Sequence, residues 1–307
     1  MSQESSKRAD GSRVGLIGLG QAGLSLAQAV LRHRAVVGYD LDANRCELAR
    51  KAGVNIARSA RELAEASDII MLCLPTPQAS RAAAADLAAA QLKGTLIIEN
   101  STVSPDDIEW LVSFFAPHGA TIMDCAIVGG IHKLAHGEAT FLVGASKADY
   151  DRARPVLESA AEEIFYLGPT GNGMRVKLIV NGIAHTTMVM LLEGAALAAK
   201  SEVPLETFYK LMRRESGLLR PLTHRLGERV FGQDFEGGMN TANARKDSAL
   251  VLDYARAMQV PLFTMQAAHT VYEIAVNEGL AGQDYAAISK LWERWLDVSF
   301  KAAVQTQ

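Results

Sequence analysis

Residues 13–40 constrain the fold more than any other stretch. Arg13-Val-Gly-Leu-Ile17 is a short apolar run and reads as a buried strand. Gly18-Leu19-Gly20-Gln21-Ala22-Gly23 follows at once, and Leu24 to Leu31 carries a helical pattern. Ala35-Val-Val-Gly-Tyr39 is a second strand, ending in Asp40. A strand, a G-x-G-x-x-G turn, a helix, a strand and an acid, in that order, are the parts of a dinucleotide site. Gly18 permits the tight turn, Gly20 lets backbone approach a pyrophosphate, and Gly23 lets helix and strand pack closely. The helix start then offers unpaired N–H groups and a partial positive charge to phosphates. Asp40 can accept hydrogen bonds from an adenosine ribose and would repel a 2′-phosphate, so NAD is expected over NADP. Arg45, a cation that could bind that phosphate, keeps NADP open.

The same stretch invites a competing reading. Val14 to Leu31 carries no charge and follows Lys7, Arg8 and Arg13, as a signal peptide or membrane helix would. Gly15, Gly18, Gly20 and Gly23 fit a strand, turn and helix far better, so no membrane or secretion role is expected. Residues 1–12 are polar and read as a disordered tail.

The alternation continues. Ser59 to Ala66 reads as a helix capped by Ser59 with Glu62 three residues on. Asp68 to Leu74 is a buried strand, stopped by Pro75 and Pro77. Ala79 to Ala90 is an alanine-rich helix. Thr95 to Ile98 is a strand leading into Glu99-Asn-Ser101-Thr102. Ser104-Pro105-Asp106-Asp107 carries a cap, a first-turn proline and first-turn acids. Ala120–Asp124, Thr140–Gly144 and Ile164–Leu167 are further strands. Strands alternating with helices mean a parallel, doubly wound α/β sheet of the Rossmann kind. Ligands bind beyond the C-terminal strand ends, here Gly18–Gly23, Asp40, Leu74-Pro75, Ser101-Thr102 and the loop after Asp124.

After Gly168-Pro169 the pattern changes to helices alone: Met174–Ala199, Pro204–Arg214, Leu218–Val230, Thr241–Met258, Pro261–Gly279 and Ala286–Val298. Pro204 and Pro261 read as first-turn prolines. The chain therefore divides into a tail (1–12), a dinucleotide-binding domain (13–170) and an all-helical domain (171–307). The first of these helices would be ~39 Å long at ~1.5 Å per residue and joins the two domains. It is apolar on all sides, so it is expected to be buried in protein. Lys177 and Asn181, four residues apart, share one of its faces.

Composition excludes several classes. A net charge of −3 over 307 residues, without basic blocks, argues against a nucleic-acid surface. Three scattered cysteines, Cys46, Cys73 and Cys125, read as reduced thiols in a cytoplasmic protein and not as disulfides or metal ligands. The abundance of apolar helix predicts a homodimer or homotetramer.

Four motifs, in series, resemble those of the β-hydroxyacid dehydrogenases of the 3-hydroxyisobutyrate dehydrogenase type. They are the glycine loop from Gly15 to Gly23, the loop Asp124-Cys-Ala-Ile-Val128-Gly129-Gly130, the stretch Gly171 to Asn181, and Lys246-Asp247. The second resembles D-x-P-V-S-G-G and the third G-x-G-x-x-x-K-x-x-N-N. The resemblance implies an NAD(P)-dependent oxidoreductase for a small carboxylate substrate. It makes Lys177 the catalytic lysine and Asn181 its neighbour that positions substrate. Desolvation lowers a lysine pKa toward neutrality, which suits it to exchange the alcohol proton. Cofactor contacts are implied for Gly18, Leu19, Gly20, Gln21, Ala22, Gly23, Asp40, Leu74, Pro75, Thr102 and Lys246. Substrate contacts are implied for Val128, Gly129, Gly130 and His132. The chain departs from the pattern at Ala126, where proline is usual, Val128, where serine is, and Val180, the first of two asparagines. A hydroxyl donor is thereby lost, which opens the question of substrate. Arg220, His224 and Arg245 lie in segments that could compensate, and read first as surface or structural residues. An imine reductase-like or phosphogluconate dehydrogenase-like activity and a non-catalytic cofactor sensor are the alternatives. Imine reductases commonly carry aspartate or tyrosine where Lys177 stands.

Overall fold

The computed structural model describes residues 11–214 and 218–302. The expected tail, up to residue 10, lies outside the described residues. By internal packing the chain divides into two compact units, between Gly182 and Ile183.

The first unit begins β1 (Val14–Ile17), α1 (Gln21–Leu31), β2 (Val36–Tyr39), α2 (Ala43–Lys51) and β3 (Asn55–Ile56). It continues α3 (Ala60–Glu65), β4 (Ile69–Leu72), α4 (Pro77–Leu87), β5 (Leu96–Glu99), α5 (Pro105–Phe115) and β6 (Thr121–Val128). It ends α6 (Gly130–His136), β7 (Ala139–Gly144), α7 (Lys147–Leu157) and β8 (Ala161–Tyr166). The strands form one sheet in the order β3-β2-β1-β4-β5-β6-β7-β8. Strands β1, β4 and β5 are buried at every position, as parallel strands covered on both faces must be. One apolar cluster covers each face, around Leu26 and Phe141 on one and Leu72 and Phe115 on the other. The expected signals close the helices: Ser59 accepts the N–H of Glu62, and Ser104 and Asp107 form a reciprocal capping box.

The sheet departs from the all-parallel expectation once. β7 runs antiparallel to β6. Only residues 129–138 separate them, fewer than the dozen or so that a parallel crossover needs.

The long helix α8 (Asn172–Lys200) crosses the division between the units. The second unit continues with α9 (Leu205–Met212), a wide π-type segment from Pro221 to Val230, α10 (Thr241–Ala257), α11 (Phe263–Ala275) and α12 (Ser289–Leu296). Pro204 and Pro261 stand just outside their helices and not in the first turn. At α11 the reason is visible. Glu193, buried on α8, takes over the cap: its carboxylate accepts the N–H of Phe263 at 2.7 Å and of Thr264 at 2.9 Å, and the Thr264 hydroxyl.

The expected burial of α8 is not what the chain achieves by itself. Ile179 is 62% and Ile183 64% exposed, and Met188 and Leu192 are also open. The helix is apolar all round, and the chain's own elements leave most of that surface uncovered. It is also long and apolar enough to cross a membrane by length and composition. Two of its charged groups are committed to protein, however: Glu193 to α11 and Lys177 to the end of β6.

Burial opposes ionisation of Glu193, but the hydrogen bonds from Thr264, Phe263 and Met265 outweigh it and hold its pKa below the ordinary value. Its stabilisation is therefore complete above the unfolded carboxylate pKa and lost as pH falls through the lowered one. Glu193→Ala should cost about 1–2 kcal/mol at neutral pH, a helix cap's worth. Urea denaturation of the variant and wild type should converge as the medium is acidified.

Candidate active site

Asp40 closes β2 and its carboxylate is used at once. One oxygen accepts the N–H of Leu19 at 2.7 Å and the other the N–H of Asp42 at 2.9 Å. This pins the glycine turn against the end of β2. In that turn Gly18 has φ +93°, and a side chain there would strike the carbonyl of Cys73. A side chain at Gly23 would strike the carbonyl of Gly18, while space beside Gly20 stays open. The result is a cavity of about 530 Å³ at the C-terminal strand ends, within the range of ligand sites.

Gly18, Gly20, Gln21, Ala22, Gly23, Asp40, Leu74 and Pro75 all line this cavity. Leu19 and Thr102 do not. Leu19 turns its side chain into the core, 2% exposed, and serves through its N–H. Thr102 faces outward, and its neighbour Ser101 is the one turned in. The sequence reading missed Cys73 and the alanines at 79, 82 and 83, which form the cavity's α4 wall. The alanine-rich run was their only signal. Arg45 also lines the cavity, but Asp40 and Asp42 approach it at 3.6 and 3.7 Å. With Asp86 on the opposite wall, the acids disfavour a second phosphate near the ribose. The cavity thus fits a dinucleotide: open space beside the glycines, the start of α1 facing it, and an acid at the ribose end.

The residues that the sequence marks for chemistry lie at β6 and the first turns of α8. Asp124 is fully buried there and caps α8 from a distance of some fifty residues. Its Oδ1 accepts the N–H of Gly171 at 2.5 Å and its Oδ2 that of Met174 at 2.7 Å. Any side chain at Gly144 or Gly173 would run into this carboxylate. Burial raises the Asp124 pKa, against the pull of those two N–H groups. One turn beyond Met174, Lys177 bends back to the same strand and donates to the carbonyl of Ile127 at 2.6 Å. Burial lowers the Lys177 pKa, and no carboxylate partner offsets it. Asn181 follows a turn later, half-buried, with its amide uncommitted among the described residues.

Lys177 therefore reaches the strand that leads into the glycine loop, and Asn181 lies one turn further along the same helix. Val128 ends β6, half-buried against the Leu72 face of the core. Gly129 and Gly130 are both left-handed and open α6. His132 is exposed, its ring 4.5 Å from that of His136. Lys246 belongs to the second unit, exposed and 3.0 Å from Asp247. There too His224 pairs with Glu228, Arg220 is exposed, and Arg245 lies 3.9 Å from Glu273.

Comparisons with known proteins find a family match in each part of the chain. The family described as the NAD binding domain of 6-phosphogluconate dehydrogenase matches residues 13–168. The NAD-binding family of NADP-dependent 3-hydroxyisobutyrate dehydrogenase matches residues 171–292. A 2-(hydroxymethyl)glutarate dehydrogenase of Eubacterium barkeri is 28% identical over 94% of this chain and 97% of its own. An L-threonate dehydrogenase of Escherichia coli K12 is 29% identical over 91% of this chain and 94% of its own. The solved structure of an imine reductase from a Pseudomonas species shares the fold, with a TM-score of 0.83 at 22% identity over 92% of this chain and 99% of that one.

The Asp124 cap is testable apart from activity. Asp124→Ala leaves two buried N–H groups unpaired and should destabilise the protein by about 2–5 kcal/mol. Asp124→Asn keeps one acceptor and should lose less; the midpoints of chemical denaturation rank the two.

Proposed function

Because the chain belongs to the β-hydroxyacid dehydrogenase family, an NAD(P)-dependent group of oxidoreductases, we propose that it moves a hydride between NAD and a small 3-hydroxy acid, or the corresponding carbonyl acid. The observation that carries this reading is the Lys177 bond to Ile127 at the C-terminal end of β6. It holds a half-buried amine of lowered pKa beside a glycine loop, in the same unit as the dinucleotide cavity.

Oxidation of an alcohol removes a hydride from carbon and a proton from oxygen. The nicotinamide, when bound, supplies the hydride acceptor. The rest falls to side chains of this chain. Lys177 in its neutral form spends one N–H on Ile127 and keeps its lone pair for the substrate hydroxyl. Taking that proton makes it a cation beside the oxygen as carbonyl character develops; in the reverse direction it returns the proton. Asn181, one turn along the same helix, orients the substrate oxygens with its free amide. The N–H groups of Gly129 and Gly130 receive the carboxylate. Val128 offers apolar surface where a hydroxyl would have offered a hydrogen bond, so substrates with an apolar substituent there are favoured over polyhydroxy acids. NAD is favoured over NADP because Asp40 and Asp42 both counter Arg45. The exposed apolar face of α8 is covered by a further copy of the chain in a homodimer or homotetramer.

Steady-state NADH formation over a panel of 3-hydroxy acids tests this. Lys177→Ala should lower kcat by about 10²–10⁴-fold while dinucleotide affinity stays within a factor of about two. Wild-type kcat/KM for oxidation should rise with pH through a Lys177 pKa below the ordinary lysine value. Turnover indifferent to the substitution would end the Lys177 mechanism, and binding without turnover on any acid would favour a sensor. Asp40→Asn should shift the NADP-to-NAD preference toward NADP by roughly tenfold or more, as a repelling charge leaves and Arg45 is freed.

A further inference from the structure

Glu99 has no part in the reaction just described, yet it ends β5, the strand between β4 at the cavity and β6 with Asp124. It is the last residue of β5 and is 0% exposed. One rung of the sheet runs through Tyr39, Ile17, Leu72, Glu99 and Asp124. Each step is about 4.8 Å. A dinucleotide whose ribose meets Asp40 and whose pyrophosphate meets the glycine turn can reach Lys177 only across the ends of β4 and β5. Glu99 lies under that crossing.

Its contacts tie it to the cavity wall. Oε1 accepts the N–H of Ser101 at 2.8 Å. The Ser101 hydroxyl accepts the N–H of Leu74 at 2.8 Å and lies 3.4 Å from the hydroxyl of Ser80. Oε2 is buried without a hydrogen-bond partner. Burial pushes the Glu99 pKa up to about 7, with the hydroxyls of Ser101 and Ser80 pulling against it. The charged and titratable neighbours on the packed elements do not neutralise it. Cys73 beyond β4 is pushed up to about 12 by burial and by Glu99 itself. Asp107 on α5 is paired at 2.8 Å with Arg81 on α4, and Asp124 on β6 is spent on α8. Among the described residues no cation pairs with Glu99. An uncompensated buried acid is costly to keep, and a cation arriving over it would relieve the cost.

We propose that Glu99 is a specificity residue for the cofactor's redox state: its carboxylate selects the oxidised, cationic nicotinamide ring over the reduced, neutral one. The proposal rests on the reading that the cavity holds NAD with its ring toward Lys177. The two forms differ by one positive charge on the ring, so contacts at Asp40 and the glycine turn cancel in the ratio of their affinities. Two unit charges about 10 Å apart at an effective dielectric of about 20 interact strongly enough to change such a ratio roughly tenfold. Linkage gives the sign. Below pH ~7 Glu99 is neutral and the preference is absent; above it Glu99 is anionic and the preference is complete. Lys177 produces a shift of the same sign as it loses its proton, so the two must be separated.

Equilibrium dissociation constants of NAD⁺ and NADH, measured by calorimetry from about pH 5.5 to about pH 8.5, make the test. In the wild type the ratio Kd(NADH)/Kd(NAD⁺) should rise by ~tenfold across neutrality. Lys177→Met should keep that rise, and Glu99→Gln placed in the Lys177→Met background should abolish it. A ratio flat with pH in the wild type, a rise lost in Lys177→Met, or a rise that survives in the double variant Glu99→Gln, Lys177→Met overturns the proposal. The first two decide it even if Glu99→Gln fails to fold. If both forms bind with a flat ratio, only the role of Glu99 fails; if neither binds, the cavity reading fails with it.

Discussion

The grip of Asp124 on the start of α8 is the interaction on which the rest of the site depends. A carboxylate midway along β6 holds two N–H groups at the head of a 29-residue helix. Helix geometry does the remainder: one turn on, Lys177 falls level with Ile127, and one turn further stands Asn181. The glycines at 144 and 173 exist to let sheet and helix come close enough for that bond.

Three acids stand on neighbouring strands of the same sheet, at or just past the ends of β2 and β5 and within β6, and their surroundings give them different work. Asp40, at the edge of the cavity, is held by the N–H groups of Leu19 and Asp42 and shapes the ribose end. Asp124, fully buried, is used up in capping. Glu99, also buried, has one oxygen on Ser101 and one on nothing. Burial favours the neutral form of each buried acid; what differs is how many donors reward ionisation. The same rule lowers the Lys177 pKa, for burial disfavours its charged form.

Local signals were the legible ones. The glycine turn, the alternation of strand and helix, and the caps at Ser59 and Ser104 depend on residues near one another in the chain, and the first unit follows them closely. Reversal of β7 was legible in principle, since the span after Val128 is too short for a crossover, but its hydrophobic pattern is the same in either direction. Asp124 stood out as part of a motif. Its role as a cap did not, because its partners lie 47 and 50 residues away. Pro261 misled about the start of α11, where Glu193 from another helix supplies the cap. Burial of α8 was misjudged for a different reason: apolar periodicity states that a surface needs a cover, not that the same chain provides it. Leu19 and Thr102 were assigned by motif position, and the pleat and turn send their side chains elsewhere.

Direct observation of the Lys177 ammonium in protein labelled at lysine Cε is the sharpest test of this account. Its chemical shift, followed with pH in the wild type and in Asp124→Ala, reads the pKa without turnover or substrate. The account predicts a value below that of the other lysines in the wild type, returning toward the ordinary value when the Asp124 cap is removed. A wild-type Lys177 titrating with the surface lysines, or one depressed equally in both proteins, would contradict it.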